Sequence, residues 1–200
     1  MSYVPDPQFP RLCVFGDSIV WGSTDTEAGG WVERLKTKFL REGQEDFVSV
    51  YNCGISGETT ADVAQRVTGE VAARSPAALV LAIGINDSPH SGQEGTPIKE
   101  FSDTYRGLLT LTNSFDVQVG IVGITNVIDG REPEYSNNAI LRYANVIEDL
   151  ARDFDLPYLN PFGWLDETHL HEDGVHPNAE GHALLSERIL PLVELLIESV

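Results

Sequence analysis

The sequence predicts an α/β fold, a three-layer α/β/α sandwich around a parallel sheet of about five strands, and three observations point to it. Short apolar runs alternate with longer amphipathic stretches along the chain, the order expected of strand–helix units building a parallel sheet. The runs are continuously apolar and end on Gly or Asn, as in strands covered on both faces. Irregular segments follow the strands at 23 to 30, 87 to 97, 125 to 137 and 161 to 177. In an open parallel sheet these positions gather at the carboxyl edge, where ligands bind.

Taken in order, "RLCVFG" (11 to 16) is the first strand, and "WVERLKTKFLREG" (31 to 43) carries apolar residues at helical spacing. "FVSVYNCG" (47 to 54) is the second strand and "TADVAQRVTGEVAAR" (60 to 74) the helix after it. "ALVLAIGIN" (78 to 86) is the most apolar run and so the central strand. "FSDTYRGLLTLTNSF" (101 to 115) is helical, and "VQVGIVGIT" (117 to 125) is the fourth strand. In "NAILRYANVIEDLARDFD" (138 to 155), Ile140, Tyr143, Ala144, Ile147, Leu150 and Ala151 fall on one helical stripe. "LPYLN" (156 to 160) is a short fifth strand, and "NAEGHALLSERILPLVELLIESV" a closing helix in which Pro191 is a place for a bend.

A chain of 200 residues with 42% apolar and 22% charged side chains suits one globular domain spanning 1–200, and no repeat or linker interrupts it. With 31 acidic against 13 basic residues the formal charge is −18. That charge repels phosphate backbones and anionic membrane surfaces, so no nucleic acid partner is expected. "MSYVPDPQFPRL" lacks the basic start and apolar core of a signal peptide, which suggests a cytoplasmic protein. No apolar run approaches the roughly 20 residues that span a bilayer, so no stable membrane insertion is expected. Cys13 and Cys53 both lie in strand-like segments as small apolar residues, without a disulfide framework.

Four strand ends carry chemistry: Ser18 after the first, "NCGISGETT" after the second, "GINDS" after the third and "HEDGVHPN" after the fifth. Singly, each has a structural reading. Ser18 suits a helix cap, Gly54 a turn, Asn86 an Asx-turn, Asp173 a turn before Gly174, and His176 a half-buried ring beside Pro177. Together they supply the parts of acyl transfer to a serine. Ser18 is the candidate nucleophile and needs a base to take its proton. His176 is the candidate base, and Asp173 can hold the other ring nitrogen in the required tautomer. The Ser18 and Gly54 N–H groups and the Asn86 side-chain amide are candidate donors to the developing oxyanion. Pro177 favours an extended His176 and suits the start of the last helix.

"GDSIVWG", "NCGISG", "GIND" and "DGVHPNAEGH" resemble, in order, the motif blocks of the GDSL or SGNH hydrolase family, across residues 16 to 182. The resemblance implies a flavodoxin-like fold, esterase or lipase activity on a small-molecule ester or thioester, and no metal or other cofactor. It also implies a Ser18, Asp173, His176 triad with an oxyanion hole of Ser18, Gly54 and Asn86. The first block departs from the family name only at Ile19, where the family has Leu. Members of the family act on thioesters, lysophospholipids, aryl esters and acetylated sugars, so the acyl and leaving groups stay open.

Three rivals compete. "HLHEDGVH" packs His169, His171, Asp173 and His176 into eight residues with zinc-like ligands, but a metal leaves Ser18, Gly54 and Asn86 without a task. His169 and His171 are then loop residues near the mouth of the site. A flavodoxin-like binding module needs a Gly-rich phosphate loop that the chain lacks. An α/β-hydrolase elbow, G-x-S-x-G, is absent too, and Ser56 in "GISGE" reads as a turn residue. Selectivity should come from 87 to 97, 125 to 137 and 161 to 172, the loops bearing His90, Arg131, Tyr135 and Trp164.

Overall fold

A computed structural model describes residues 9–41, 48–131 and 133–199. The expected end of the first long helix at 42 and 43, the start of the second strand at 47, and the residues before 9 lie outside the described residues. Five strands run β1 Arg11–Gly16, β2 Ser49–Gly54, β3 Ala78–Ala82, β4 Gln118–Val122 and β5 Tyr158–Leu159. The helices are α1 Ser18–Trp21, α2 Trp31–Arg41, α3 Thr60–Arg74, α4 Ile98–Thr112, α5 Asn137–Asp153 and α6 Ala179–Glu198.

The strands form one sheet in the order β2-β1-β3-β4-β5, all parallel, which is the flavodoxin-like order. Each strand sends alternate side chains to opposite layers. Cys13, Phe15, Leu79 and Leu81 meet Val63 and Val67 of α3, Phe101 and Tyr105 of α4, and the α5 stripe on one face. Leu12, Val14 and Val80 meet Trp31 and Leu35 of α2 and Leu185, Ile189 and Val193 of α6 on the other. Burying each such Leu, Val or Phe contributes roughly 1.5–3 kcal/mol, so both faces of the sheet are driven to acquire helices. Cys13 and Cys53 are buried free thiols on the first of these faces.

Local chemistry sets the helix starts. Thr59 and Asp62 form a capping box for α3, the Ser136 hydroxyl accepts from the Ala139 N–H for α5, and Asn178 accepts from Gly181 for α6. β3 is shorter than the expected run of 78 to 86. β3 stops at Ala82, four residues before Asn86, because Gly84 takes a φ of +133° that no strand accommodates. The chain then turns at 84–88, with the Asp87 N–H donating to the Gly84 carbonyl and Ser88 to Ile85. α6 runs through Pro191, since Pro191 and Glu187, whose carbonyl loses its donor, both face solvent.

The strand order reverses between β1 and β3, so the crevice beyond their carboxyl ends is the place for a ligand. Among the described residues, no helix is long and apolar enough to cross a membrane.

Candidate active site

β1 delivers Ser18 into that crevice through a tight turn. A Cβ on Gly16 would lie 2.2 Å from the Ala82 carbonyl oxygen and 2.3 Å from Val20 Cγ2, so only glycine lets β1 pass β3 and enter α1. Asp17 caps α1 by accepting the Ile19 N–H at 2.9 Å, and the Gly22 N–H returns to the Ser18 carbonyl at 3.0 Å. Ser18 is thus the first helical residue, 8% exposed, and its N–H has no preceding turn to donate to.

The segment from 169 to 178 folds back on itself. The His171 N–H donates to the His176 carbonyl at 2.8 Å and the Asn178 N–H to the His169 carbonyl at 2.9 Å, with Gly174 at φ +70° supplying the turn. Asp173 Oδ1 accepts the Val175 and His176 N–H groups at 2.8 and 2.9 Å. Its Oδ2 stands 2.7 Å from His176 Nδ1, and His176 Nε2 stands 2.8 Å from Ser18 Oγ. With the carboxylate facing Nδ1, the ring proton belongs there, and Nε2 is left to accept from the hydroxyl. Burial pushes the Asp173 carboxyl up, but His176 and the two N–H groups outweigh it and hold it below the usual carboxylate range. Thr24 Oγ1 donates to the Pro177 carbonyl at 2.6 Å, tying this segment to the one after α1.

Asn86 lies on the turn after β3, which is pinned to α3 because Asp87 Oδ2 accepts both the N–H and the hydroxyl of Thr60 at 2.9 Å. The Asn86 Nδ2 donates to the Glu58 carbonyl at 2.9 Å, and its Oδ1 accepts from the Tyr135 hydroxyl at 3.0 Å. Among the described residues, the other amide hydrogen of Asn86 has no acceptor.

Gly54 is differently employed from the expectation. Its N–H donates to Asn52 Oδ1 at 3.0 Å, and a Cβ there would lie 2.4 Å from the Trp21 nitrogen and 2.8 Å from the Val20 carbonyl carbon. Asn52 Nδ2 in turn donates to the Val20 carbonyl at 2.9 Å, so Asn52 and Gly54 lock α1 onto β2. The other glycine of "NCGISG", Gly57, sits at φ +82° with open space on the side where a Cβ would stand. Among the described residues its N–H has no acceptor, and the Glu58 contact holds this turn beside Asn86. A second glycine in the same short motif, just before a helix, is the sequence signal by which Gly57 could have been found.

Other residues fall into place around these. His182 is fully buried and kept neutral by burial. Its Nδ1 accepts the Trp31 N–H at 3.2 Å and its Nε2 donates to the Ser23 carbonyl at 3.1 Å, a structural bridge from α6 to α2. His169 turns away to Asp166 at 2.8 Å, while His171 Nδ1 stands 3.5 Å from Asp173 Oδ2. Among the described residues no group of three His, Cys, Asp or Glu side chains converges to hold a metal ion. Ser56 is exposed on its turn, whereas the imidazole of His176 faces Ser18. Of the loop residues, His90 stacks on Tyr135 at 4.4 Å, Arg131 packs over Gly174, and Trp164 lies under the Arg188 guanidinium.

A family model, the GDSL-like Lipase/Acylhydrolase family, matches residues 14–184. An acetylxylan esterase of Geobacillus stearothermophilus is 27% identical over 157 residues, which cover 72% of this chain and 71% of that protein. A thioesterase 1/protease 1/lysophospholipase L1 of Escherichia coli (strain K12) is 23% identical over 192 residues, 93% of this chain and 84% of that one. The fold is similar to that of an alpha/beta hydrolase enzyme from the metagenome of Lake Arreo, with a TM-score of 0.78 and 22% identity over 94% of this chain and 96% of that one. With its motif blocks and its three-layer parallel fold, the chain belongs to the GDSL-like lipase/acylhydrolase family and is a carboxylic ester hydrolase of that family.

Proposed function

We propose that the protein hydrolyses the carboxylic ester or thioester bond of a small or acylated substrate through an acyl-enzyme on Ser18. The reading is carried by one observation, the unbroken line from Ser18 Oγ to His176 Nε2 at 2.8 Å and from His176 Nδ1 to Asp173 at 2.7 Å. Ser18 Oγ attacks the carbonyl carbon as its proton passes to His176 Nε2. The carbonyl π pair becomes an oxyanion, which collapses to break the bond to the leaving group, and His176 returns the proton to that group. Water then attacks the acyl carbon and gives its proton to His176; the second intermediate collapses by breaking the bond from the acyl carbon to Ser18 Oγ, which takes the proton back from His176 as the acid leaves. General-base help of this kind is worth roughly 10²- to 10⁴-fold.

The oxyanion donors in this scheme are the Ser18 N–H, the other hydrogen of Asn86 Nδ2, and the Gly57 N–H in place of that of Gly54. The donor role of Gly57 rests on its lack of any other acceptor among the described residues, whereas Gly54 already serves Asn52. Each such donor is typically worth about 10²- to 10³-fold in turnover. The scheme uses no metal and no cofactor.

Hydrolysis of p-nitrophenyl acetate by Ser18→Ala and His176→Ala variants tests the reading. Both are expected to lose essentially all turnover with unchanged thermal unfolding, and near wild-type hydrolysis by either would overturn it. The same assay along a graded acyl series distinguishes a small-ester enzyme from a long-chain one.

A further inference from the structure

We infer that Tyr135 is a positioning residue for the oxyanion site, holding the Asn86 amide in its donating orientation. The inference rests on the proposed role of Asn86 as a donor. An asparagine amide can turn over about its last bond, exchanging the donor for the acceptor. Here the Glu58 carbonyl takes one hydrogen of Nδ2 at 2.9 Å, and the Tyr135 hydroxyl donates to Oδ1 at 3.0 Å. A turned amide would set its oxygen against the Glu58 carbonyl, which only accepts, and would exchange the hydroxyl's donation to Oδ1 for an N–H donated to the hydroxyl, so Glu58 selects the orientation and Tyr135 reinforces it. A hydrogen bond received at Oδ1 also polarises the amide and strengthens the remaining N–H as a donor.

Tyr135 is built to serve this purpose. It is buried to 5% exposure, and burial pushes its hydroxyl well above the ordinary tyrosine value, so it stays a neutral donor. Its ring stacks on His90 at 4.4 Å with 20° between the planes. His90 is held in turn by donation from Nδ1 to the Ser88 carbonyl at 2.8 Å. The Ser91 N–H and hydroxyl both donate to the Pro133 carbonyl at 2.9 Å, joining the loop after β3 to the loop that carries Tyr135. Two loops therefore clamp the ring while its hydroxyl alone reaches Asn86.

Tyr135→Phe keeps the ring and removes only the hydroxyl. With p-nitrophenyl acetate it is expected to lower kcat about tenfold, a fraction of the roughly 10²- to 10³-fold effect of removing a donor outright, with KM within about twofold. In an Asn86→Ala background the same change is expected to alter kcat by less than about twofold, the non-additivity of residues acting as one unit. Wild-type kcat in Tyr135→Phe, or losses that multiply in the double variant, would overturn the inference while leaving Asn86 as a donor. If Asn86→Ala itself turns over at the wild-type rate, the donor reading fails and the inference with it.

Discussion

Asp17 stores a charge burial that a single amide can relieve. It lies between β1 and the nucleophile, 3% exposed, and accepts one N–H from Ile19 at 2.9 Å. Burial, reinforced by Asp87 and Glu58, outweighs that hydrogen bond and raises its carboxyl to about 7. Below the ordinary carboxylate value both the folded and the unfolded chain carry the proton, and Asp17 contributes nothing to pH dependence. Between that value and about 7 the unfolded chain ionises while the folded one holds its proton, so stability falls as pH rises. Above about 7 the full penalty applies, roughly 4 kcal/mol at about 1.36 kcal/mol per tenfold change.

Asp17→Asn keeps the acceptor for Ile19 and removes the ionisation, at a cost of about 1–3 kcal/mol for an amide N–H₂ without a partner. At pH 8 the variant should gain about 1–3 kcal/mol, which for a chain of this size raises Tm by roughly 2–12 °C. Near pH 4 the gain disappears and the amide leaves the variant the less stable of the two. Thermal unfolding of both proteins from pH 4 to 8.5 measures the difference. A Tm difference that does not change with pH would refute a buried, protonated Asp17.

Two further sets of substitutions probe the site. In Asp173→Asn the side-chain oxygen can still accept the Val175 and His176 N–H groups, so Tm should change little. An amide nitrogen facing His176 Nδ1 selects the wrong tautomer, however, and kcat should fall by up to about 10⁴-fold; turnover within tenfold of wild type would count against Asp173 as the orienting group. Gly54→Ala drives a Cβ into the Trp21 backbone at 2.4 Å and should destabilise the fold by about 1–3 kcal/mol or more, read as a lowered Tm. Gly57→Ala has open space but a φ of +82°, a strain of roughly 1–2 kcal/mol, and should lower kcat more than its small loss of Tm explains. The reverse pattern would return the donor role to Gly54.

Patterns with a long period were legible from residue order alone. The α5 stripe from Ile140 to Ala151 is the set that α5 buries, and the apolar runs became the five strands in a flavodoxin-like order. Ser18, His176 and Asp173, which all follow strands, stand in a line of hydrogen-bond distances. What residue order hid was decided by single contacts between distant segments. The helix Ser18–Trp21 is only four residues long, too short for a periodic signal, and depends on Asp17 and on Asn52 across the sheet. Choosing between Gly54 and Gly57 required knowing that Asn52 reaches the Gly54 N–H.

An acyl-enzyme on Ser18 is tested most directly by its own covalent trace. The protein is incubated with a small fluorophosphonate, digested, and the modified residue located by mass spectrometry. Label on Ser18 that disappears in His176→Ala, with loss of activity in step with labelling, is the expected result. Label on Ser56, or no label on protein that is active, would contradict Ser18 as the nucleophile.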